Sequence, residues 1–317
     1  MTSKKRTTRK RATKKRGPYA AYFNEVEVSA PGSVYLTSHL HAWDEAGEER
    51  TRIVKYDNGE WLHVDDIEGI SHSLCLVTQP KRVLWVLERH GDARHYSKDG
   101  VEDEEIIPDF LNGYLYRMRQ IGSTLFTCGG QHMVLRREKK GWVHHDSGLF
   151  VPALEGQLDR GFFDIDGTGE GDIYCVGKGG SLAHFDGRRW THLESPTNYD
   201  LYRVLCRSKE EVYCCGNGGV LFRGSRDGWE SLSLSDHEQA LYGMAWFQGR
   251  LYVCSPEGLW RLEGDVLVPV ELGTVRMDGF YRLAASEDEL WATSGAECIY
   301  RFDGRRWERL VSPDNMP

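Results

Sequence analysis

Residues 172–193 read DIYCVGKGGSLAHFDGRRWTHL, and variants of this stretch recur along the chain. Two further copies are EVYCCGNGGVLFRGSRDGWESL at 211–232 and ELWATSGAECIYRFDGRRWERL at 289–310. Each copy reads as a strand rich in β-branched or aromatic residues, a Gly-rich turn, a second strand, an Asp-Gly turn and a third strand that begins with Trp. A fourth strand precedes the unit, as in YDLYRVLCR at 199–207, ALYGMAWF at 240–247 and GFYRLAAS at 279–286.

The spacing of the repeat sets the number of units. Trp190 and Trp229 are 39 residues apart, and Trp307 follows after twice that distance, with Val268 in the intermediate place. The same pattern continues toward the N-terminus as units at 113–146, 71–106 and 25–66. The sequence therefore predicts seven units of about 41 residues over 25–312.

Units of four short strands and about 40 residues are typical of β-propeller blades. One blade cannot bury both of its faces, so neighbouring blades must stack around a ring. We therefore predict an all-β protein, a seven-bladed β-propeller of four-stranded antiparallel blades over residues 19–317. Residues 1–18 are predicted to be a disordered basic arm.

The charge of the chain is divided unevenly between these two parts. The net charge of the 317 residues is −8 at pH 7, but residues 1–16 contain nine Lys or Arg and no acid. The rest has 31 basic residues against 48 acidic ones, a net charge of −17. An acidic body favours a basic partner and disfavours nucleic acid, because phosphate repels it.

The repeat resembles those of bacterial WD40/YVTN/BNR-like propellers. The resemblance rests on Gly167-Thr168-Gly169, the run from Asp172 to Gly177, Gly180, His184, Asp186-Gly187 and Trp190. It covers about 290 residues, although the WD dipeptide with its Gly-His partner is absent. It implies a fold and no particular activity, because this architecture carries many functions.

The sequence also indicates where the protein is located and what state its cysteines are in. The sequence has no apolar run of about 18 residues and no apolar segment after its basic start, so we expect neither a membrane span nor a secretory signal. A cytoplasmic location is the expectation. The eight cysteines include no CxxC pair, and we interpret them as buried thiols rather than disulfides or zinc ligands.

One segment has the pattern of a calcium loop. Oxygen-bearing side chains alternate around a Gly at Asp164, Asp166, Thr168 and Asp172, which suits a hard cation. The same stretch is also the turn expected between two strands of a blade, and the other units lack these ligands. Calcium is the one cofactor the sequence allows, and the plain structural turn is the favoured interpretation.

No motif indicates catalysis. GxSxG, HExxH and P-loop patterns are absent, and the histidine pairs at 39/41, 90/95 and 144/145 have no fitting carboxylate or thiol nearby. No spacing selects the arginine triad that a sialidase-like propeller would need. We therefore expect a protein that is not an enzyme.

Tyr and Arg recur together at the start of the innermost strands. These residue types are enriched in binding hot spots, and their place predicts a ring around the channel mouth. Packing between blades is the equally weighted alternative. The residues are Tyr116, Arg117, Phe163, Tyr202, Arg203, Tyr242, Tyr281 and Arg282.

Two insertions add candidate contacts. The longer one, residues 38–49, places the apolar Trp43 in an acidic loop, and we predict Trp43 as a contact residue. The other is an apolar stretch at 149–154 between the third and fourth units.

The arm has a separate potential role. A cluster of basic residues can bind nucleic acid through counterion release, whereas a plain solvated tail is the alternative. The basic residues are Lys4, Lys5, Arg6, Arg9, Lys10, Arg11, Lys14, Lys15 and Arg16.

The leading functional hypothesis is non-catalytic protein binding through one face of the ring. A concrete version is an immunity protein that binds and neutralises a basic, nuclease-like toxin. This hypothesis rests on the charge and on the resemblance to small bacterial propellers. The alternatives are a nucleic-acid-associated scaffold acting through the arm, and a carbohydrate-binding or sialidase-like propeller.

Overall fold

The computed structural model describes residues 19–97, 100–107, 113–149, 160–232, 238–275, 279–295 and 297–316. Within these ranges, 28 strands form seven sheets of four strands each. All paired neighbours are antiparallel and follow each other in the chain, so each sheet is a simple meander. The predicted seven-bladed propeller is confirmed.

The blades follow each other without exchange of strands. Blade one is β1 (Ala21–Ala30), β2 (Ser33–Leu40), β3 (Arg50–Asp57) and β4 (Glu60–Glu68), and blade two is β5 (Ser71–Val77), β6 (Val83–Glu88), β7 (Asp92–Ser97) and β8 (Gly100–Ile106). Blade three is β9 (Leu115–Ile121), β10 (Thr124–Gly129), β11 (Val134–Glu138) and β12 (Gly141–His144), and blade four is β13 (Phe162–Gly169), β14 (Asp172–Gly177), β15 (Leu182–Phe185) and β16 (Trp190–His192). Blade five is β17 (Leu201–Cys206), β18 (Val212–Gly216), β19 (Leu221–Ser225) and β20 (Gly228–Ser231), and blade six is β21 (Gly243–Phe247), β22 (Arg250–Ser255), β23 (Gly258–Glu263) and β24 (Val266–Pro269). Blade seven is β25 (Arg282–Ala285), β26 (Leu290–Thr293), β27 (Cys298–Phe302) and β28 (Trp307–Val311).

The first strand of each blade lies innermost. Each of these strands contacts the first strands of both neighbouring blades, as β13 contacts β9 and β17, and β1 contacts β5 and β25. Their inward side chains therefore line a central channel. A short helix, α1 (His41–Ala46), lies in the loop between β2 and β3, where the sequence showed its longest insertion.

The apolar core lies between the blades. Phe126 of blade three, for example, shares a buried cluster with Phe162, Ile173 and Trp190 of blade four. Cys214 and Cys215 belong to two different clusters, because successive residues of β18 point to opposite faces of the sheet. All eight cysteines are free thiols, as predicted, and seven of them are buried.

The ring closes between blades seven and one. The Asn315 amide nitrogen donates to the carbonyls of Ala21 and Glu297, and its oxygen accepts from the Ala21 N–H. The buried Glu289 carboxylate accepts from the Gly32 N–H at 2.8 Å and from the Trp291 indole at 3.0 Å. The Asn315–Ala21 and Glu289–Gly32 contacts link residues more than 250 positions apart. Closure therefore depends on a few side chains that satisfy backbone groups across the joint.

Replacing Asn315 by Ala is expected to lower the free energy of unfolding by about 2 kcal/mol, because it leaves backbone groups at the joint unpaired. Urea unfolding followed by Trp fluorescence measures this. Asn198, which is exposed, provides the control, and Asn198→Ala is expected to change stability by less than about 0.5 kcal/mol. Equal stabilities of the two variants would contradict this account of closure.

The strand directions define two faces. The first strands begin on what we call the channel-mouth face. The loops from second to third strand and from one blade to the next open on this face. The turns from first to second strand and from third to fourth strand lie on the opposite face. Within the described residues no helix is long and apolar enough to cross a membrane.

Candidate functional site at the channel mouth

Six aromatic residues, one from each of blades two to seven, surround the channel mouth. Successive ring centroids lie between 5.0 and 6.0 Å apart. In order they are His72, Tyr116, Phe163, Tyr202, Tyr242 and Tyr281. The predicted ring of Tyr116, Phe163, Tyr202, Tyr242 and Tyr281 is thus brought together, and we call the set of six the aromatic ring.

In blades two to five, a β-bulge places the ring residue at the mouth. In β17, Leu201 pairs with Gly216 and Arg203 with Cys215, so Tyr202 has no partner opposite. The same register shift isolates Tyr116 in β9, Phe163 in β13 and His72 in β5. A bulge bends its strand and re-aims the extra side chain. The result is an aromatic residue at the mouth, directly before the residue that faces the channel below it.

The aromatic ring encloses a cavity of about 700 Å³. On the side of blade one its wall is completed by Tyr22, Phe23 and Asn24, and the guanidinium-bearing Arg203 and Arg282 line it as well. Cavities that hold ligands or the anchor of a partner have volumes of about 300–1,000 Å³. The mouth is therefore large enough to accept side chains from another molecule.

A layer of charged residues lies below the aromatic ring. Glu25 is buried at its centre and pairs with Arg282 and, at 2.9 Å, with Arg117. Burial acts to raise the pKa of Glu25, but the positive charges of Arg282, Arg117 and Arg203 lower it to about 2. Glu25 is therefore ionised at neutral pH and joins blades one, three and seven.

Asp164 and Asp166 belong to this channel and not to a loop. Both lie in β13 and face Arg119, whose guanidinium is 3.7 Å from Asp164 and 3.3 Å from Asp166. Asp164 also accepts from the Val204 N–H, and Asp166 from the Cys206 N–H. Burial raises the pKa of Asp166. The two carboxylates thus interact with a guanidinium of blade three and with backbone N–H groups of blade five.

The other two residues of the predicted calcium loop form a separate contact. Thr168 donates to Asp172, and Asp172 accepts from the His184 ring at 2.7 Å. The four oxygen-bearing residues do not converge, because residues along a strand are spread over its length. Among the described residues no group of three or more His, Cys, Asp or Glu side chains is placed to hold a metal ion.

Trp43 does not offer the exposed contact that the sequence predicted. Its ring is buried in a small cluster with Ala21 and Leu40, because α1 folds it back onto the end of blade one. The guanidinium groups of Arg50 and Arg52 lie over it at 4.9 and 5.6 Å. The basic residues of the arm, within 1–18, and the apolar insertion beyond Leu149 lie outside the described residues.

The channel-mouth face is acidic outside the aromatic ring. In its described loops, basic residues are Arg89, Arg160 and Lys178. The acidic residues there are Asp44, Glu45, Glu48, Glu49, Asp146, Glu194, Asp200, Glu238, Glu257, Glu271, Glu297 and Asp314. The turns of the opposite face mix both signs, as in Asp186 with Arg188 and Arg189. The acidity of the body is therefore concentrated around the mouth.

Sequence reasoning missed the contribution of the first two blades. His72 takes the ring position in blade two, and Glu25 takes the place of Arg117 in blade one. A signal was present, because Ser71-His72-Ser73 aligns with Leu201-Tyr202-Arg203. The first strand was expected to start at 25, but β1 begins at Ala21 and brings Tyr22 and Asn24 to the mouth.

Solved structures share the fold. The WD40 β-propeller domain of Doa1 superposes with a TM-score of 0.66 at 11% identity, covering 94% of this chain and 95% of that one. Virginiamycin B lyase from Staphylococcus aureus gives 0.62 at 14% identity over 77% and 84% of the two chains. YCF48 bound to D1 peptide gives 0.61 at 13% identity over 94% of each chain. At these identities the likeness shows the seven-bladed architecture alone.

Comparison of sequences identifies a relative of this chain. No family model matches the chain. The immune protein Tsi7 of Pseudomonas aeruginosa (strain PAO1) is 36% identical over 286 residues, which cover 87% of this chain and 92% of that protein. An alignment that covers 87% of this chain extends over most of its length and is not confined to one motif. The chain belongs to the family of the immune protein Tsi7.

Proposed function

We propose that this protein is an immunity protein that binds and neutralises a toxin protein without catalysis, through its channel-mouth face. The observation that carries the proposal is the 36% identity to an immune protein over 87% of the chain. The site supports it, because aromatic and Arg side chains around a concave mouth are the residue types that dominate binding energies. Among the described residues no group of three or more His, Cys, Asp or Glu side chains is placed to hold a catalytic metal ion.

The experiment that tests the proposal is capture followed by rescue. The full chain with an affinity tag is expected to retain one toxin from lysate of its native host, identified by mass spectrometry. Expression of that toxin alone is expected to stop growth, and co-expression of the full chain to restore it. Failure to retain any protein, or retention of one whose toxicity the chain does not relieve, would overturn the proposal.

We further propose that the toxin's contact surface is basic. Twelve acidic side chains surround the mouth in the described loops against three basic ones, so a positive surface is steered toward this face. A nuclease-like toxin, with a surface built for phosphate, has this property. A nucleic acid, which would be the partner of a scaffold, would instead be repelled by this acidic face.

Neutralising acids on this face is expected to slow association. Replacing Glu45, Glu48 and Glu49 together by Gln should lower the association rate constant several-fold at low salt and leave the dissociation rate nearly unchanged. The control is Glu287→Gln with Asp288→Asn, two exposed acids in a turn of the opposite face. Surface plasmon resonance at low and high salt measures both. An association rate that is equal in the two variants and insensitive to salt would contradict a basic partner.

A further inference from the structure

Two stacked pairs within the aromatic ring turn their edges to the cavity. His72 and Tyr116 are stacked with their planes 8° apart, and Tyr202 and Tyr242 with planes 19° apart. Since these residues stack along the circumference, their faces are turned to each other and their edges to the channel axis. The edge of an aromatic ring is its positive part. The wall of the cavity therefore favours a negative group over a cation.

One arginine at the floor of the cavity has no acidic partner. Arg203 donates to the Tyr202 carbonyl at 2.8 Å, and among the described residues no carboxylate lies within ion-pair distance of it. Glu25 is already shared by Arg117 and Arg282, and Asp164 is occupied by Arg117, Arg119 and a backbone N–H. Of the four arginines in this layer, Arg203 alone has no carboxylate within ion-pair distance among the described residues.

The surroundings of Arg203 penalise its charge. Burial lowers its pKa, and the positive charges of Arg282 and Arg117 lower it further, to about 10. A buried charge without a counterion is costly, and a second negative group beside it would offset that cost. Arg203 is also a wall residue of the cavity, so such a group can reach it from the channel-mouth face.

We propose that the cavity binds a carboxylate group of the toxin, an Asp or Glu side chain or the C-terminus, which passes the aromatic ring and pairs with Arg203. This inference rests on the proposed function and names the chemistry of its central contact. A free anion is expected to bind only in the millimolar range, because the acidic loops around the mouth repel it in solution. A carboxylate carried by a toxin is held at the mouth by the toxin's other, basic contacts.

Binding of the captured toxin to Arg203 variants tests the proposal. Arg203→Leu is expected to weaken toxin binding at least about thirtyfold, and Arg203→Lys to retain most of it. Arg188→Gln, an exposed arginine on the opposite face, is the control and should bind like wild type. Thermal unfolding shows that the variants fold. We expect Arg203→Leu to be at least as stable as wild type, because it removes an unpaired charge.

The toxin's carboxylate is then located by replacing its Asp and Glu residues singly by Asn or Gln, with an amidated C-terminus as a further variant. One replacement is expected to weaken binding to wild type as much as Arg203→Leu does, with no additional loss in combination. Toxin binding that is unaffected by Arg203→Leu would overturn the carboxylate proposal and leave the proposed function standing.

A second assay tests the cavity without a toxin. Acetyl-Gly-Glu-Gly-amide and its Gln counterpart are titrated to about 10 mM, with Tyr signals followed by NMR. A preference for the Glu peptide that disappears in Arg203→Leu supports the proposal, even where capture of a toxin fails. Equal binding of both peptides, or binding of neither, overturns it.

Discussion

Replacing Tyr202 and Tyr242 together by Ala is expected to weaken toxin binding by about 3 kcal/mol, roughly a hundredfold in the dissociation constant. The two rings stack at a centroid distance of 5.1 Å and form one side of the mouth. Their loss removes apolar contact area and opens the cavity to water. Isothermal titration calorimetry with the purified toxin measures the change.

Two controls separate contact from folding. Tyr202→Phe with Tyr242→Phe keeps both rings and is expected to retain most of the affinity. Val266→Ala removes an exposed apolar side chain from the opposite face and should change nothing. An alanine pair that binds as tightly as wild type would show that the aromatic ring is packing between blades, which is the structural alternative for these residues.

Replacing Glu25 by Gln is expected to lower the free energy of unfolding by about 3 kcal/mol, because it removes a buried carboxylate and leaves the partly buried Arg282 and Arg117 without this counterion. Because Gln has nearly the shape of Glu, the loss of stability comes from the loss of the negative charge. Urea unfolding measures it, with exposed Glu287→Gln as the control, expected within about 0.5 kcal/mol of wild type.

The difference in stability between wild type and Glu25→Gln is expected to depend on pH. The pKa of Glu25 falls from 4.5 to about 2 on folding, so its contribution is complete above the higher value and is lost as pH falls toward the lower one. The stability gap between wild type and Glu25→Gln should be constant from pH 7 to 5 and shrink below about 4.5. A gap that is unchanged down to pH 3 would contradict the ion-pair account.

The repeat made most of the fold predictable. Trp190, Trp229 and Trp307 set the period, and the Asp-Gly turns set the strand boundaries, because both depend on local chemistry. Five of the six positions of the aromatic ring were predictable, because each lies at the same place in the repeat, at the start of the first strand. His72 was missed because the second unit departs most from the pattern.

The charged layer could not be predicted in the same way. Glu25 meets Arg117 and Arg282 across 92 and 257 positions of sequence, so no local pattern reports their contact. Asp164 and Asp166 looked like cation ligands because acids two positions apart occur in calcium loops. The same spacing also places two side chains on one face of a strand. Both residues instead lie in a strand, where Arg119 is within ion-pair distance of each carboxylate and N–H groups of blade five donate to them.

Trp43 illustrates the remaining difficulty. If the acidic insertion were an extended loop, its apolar Trp43 would be exposed. The insertion instead forms one turn and a half of helix that returns Trp43 to Ala21 and Leu40 and exposes its acids. Whether an insertion folds back is decided by tertiary contacts, which the sequence of the insertion does not contain.

Hydrogen exchange of the full chain with and without its toxin would show which face of the ring binds the toxin. We expect protection of backbone amides in loops of the channel-mouth face, at 130–133, 178–181 and 217–220, and in the strand starts around the aromatic ring. The turns at 186–189 and 303–306 on the opposite face should exchange at the same rate in both states. Protection confined to those turns, or to the outer strands of the blades, would contradict this expectation.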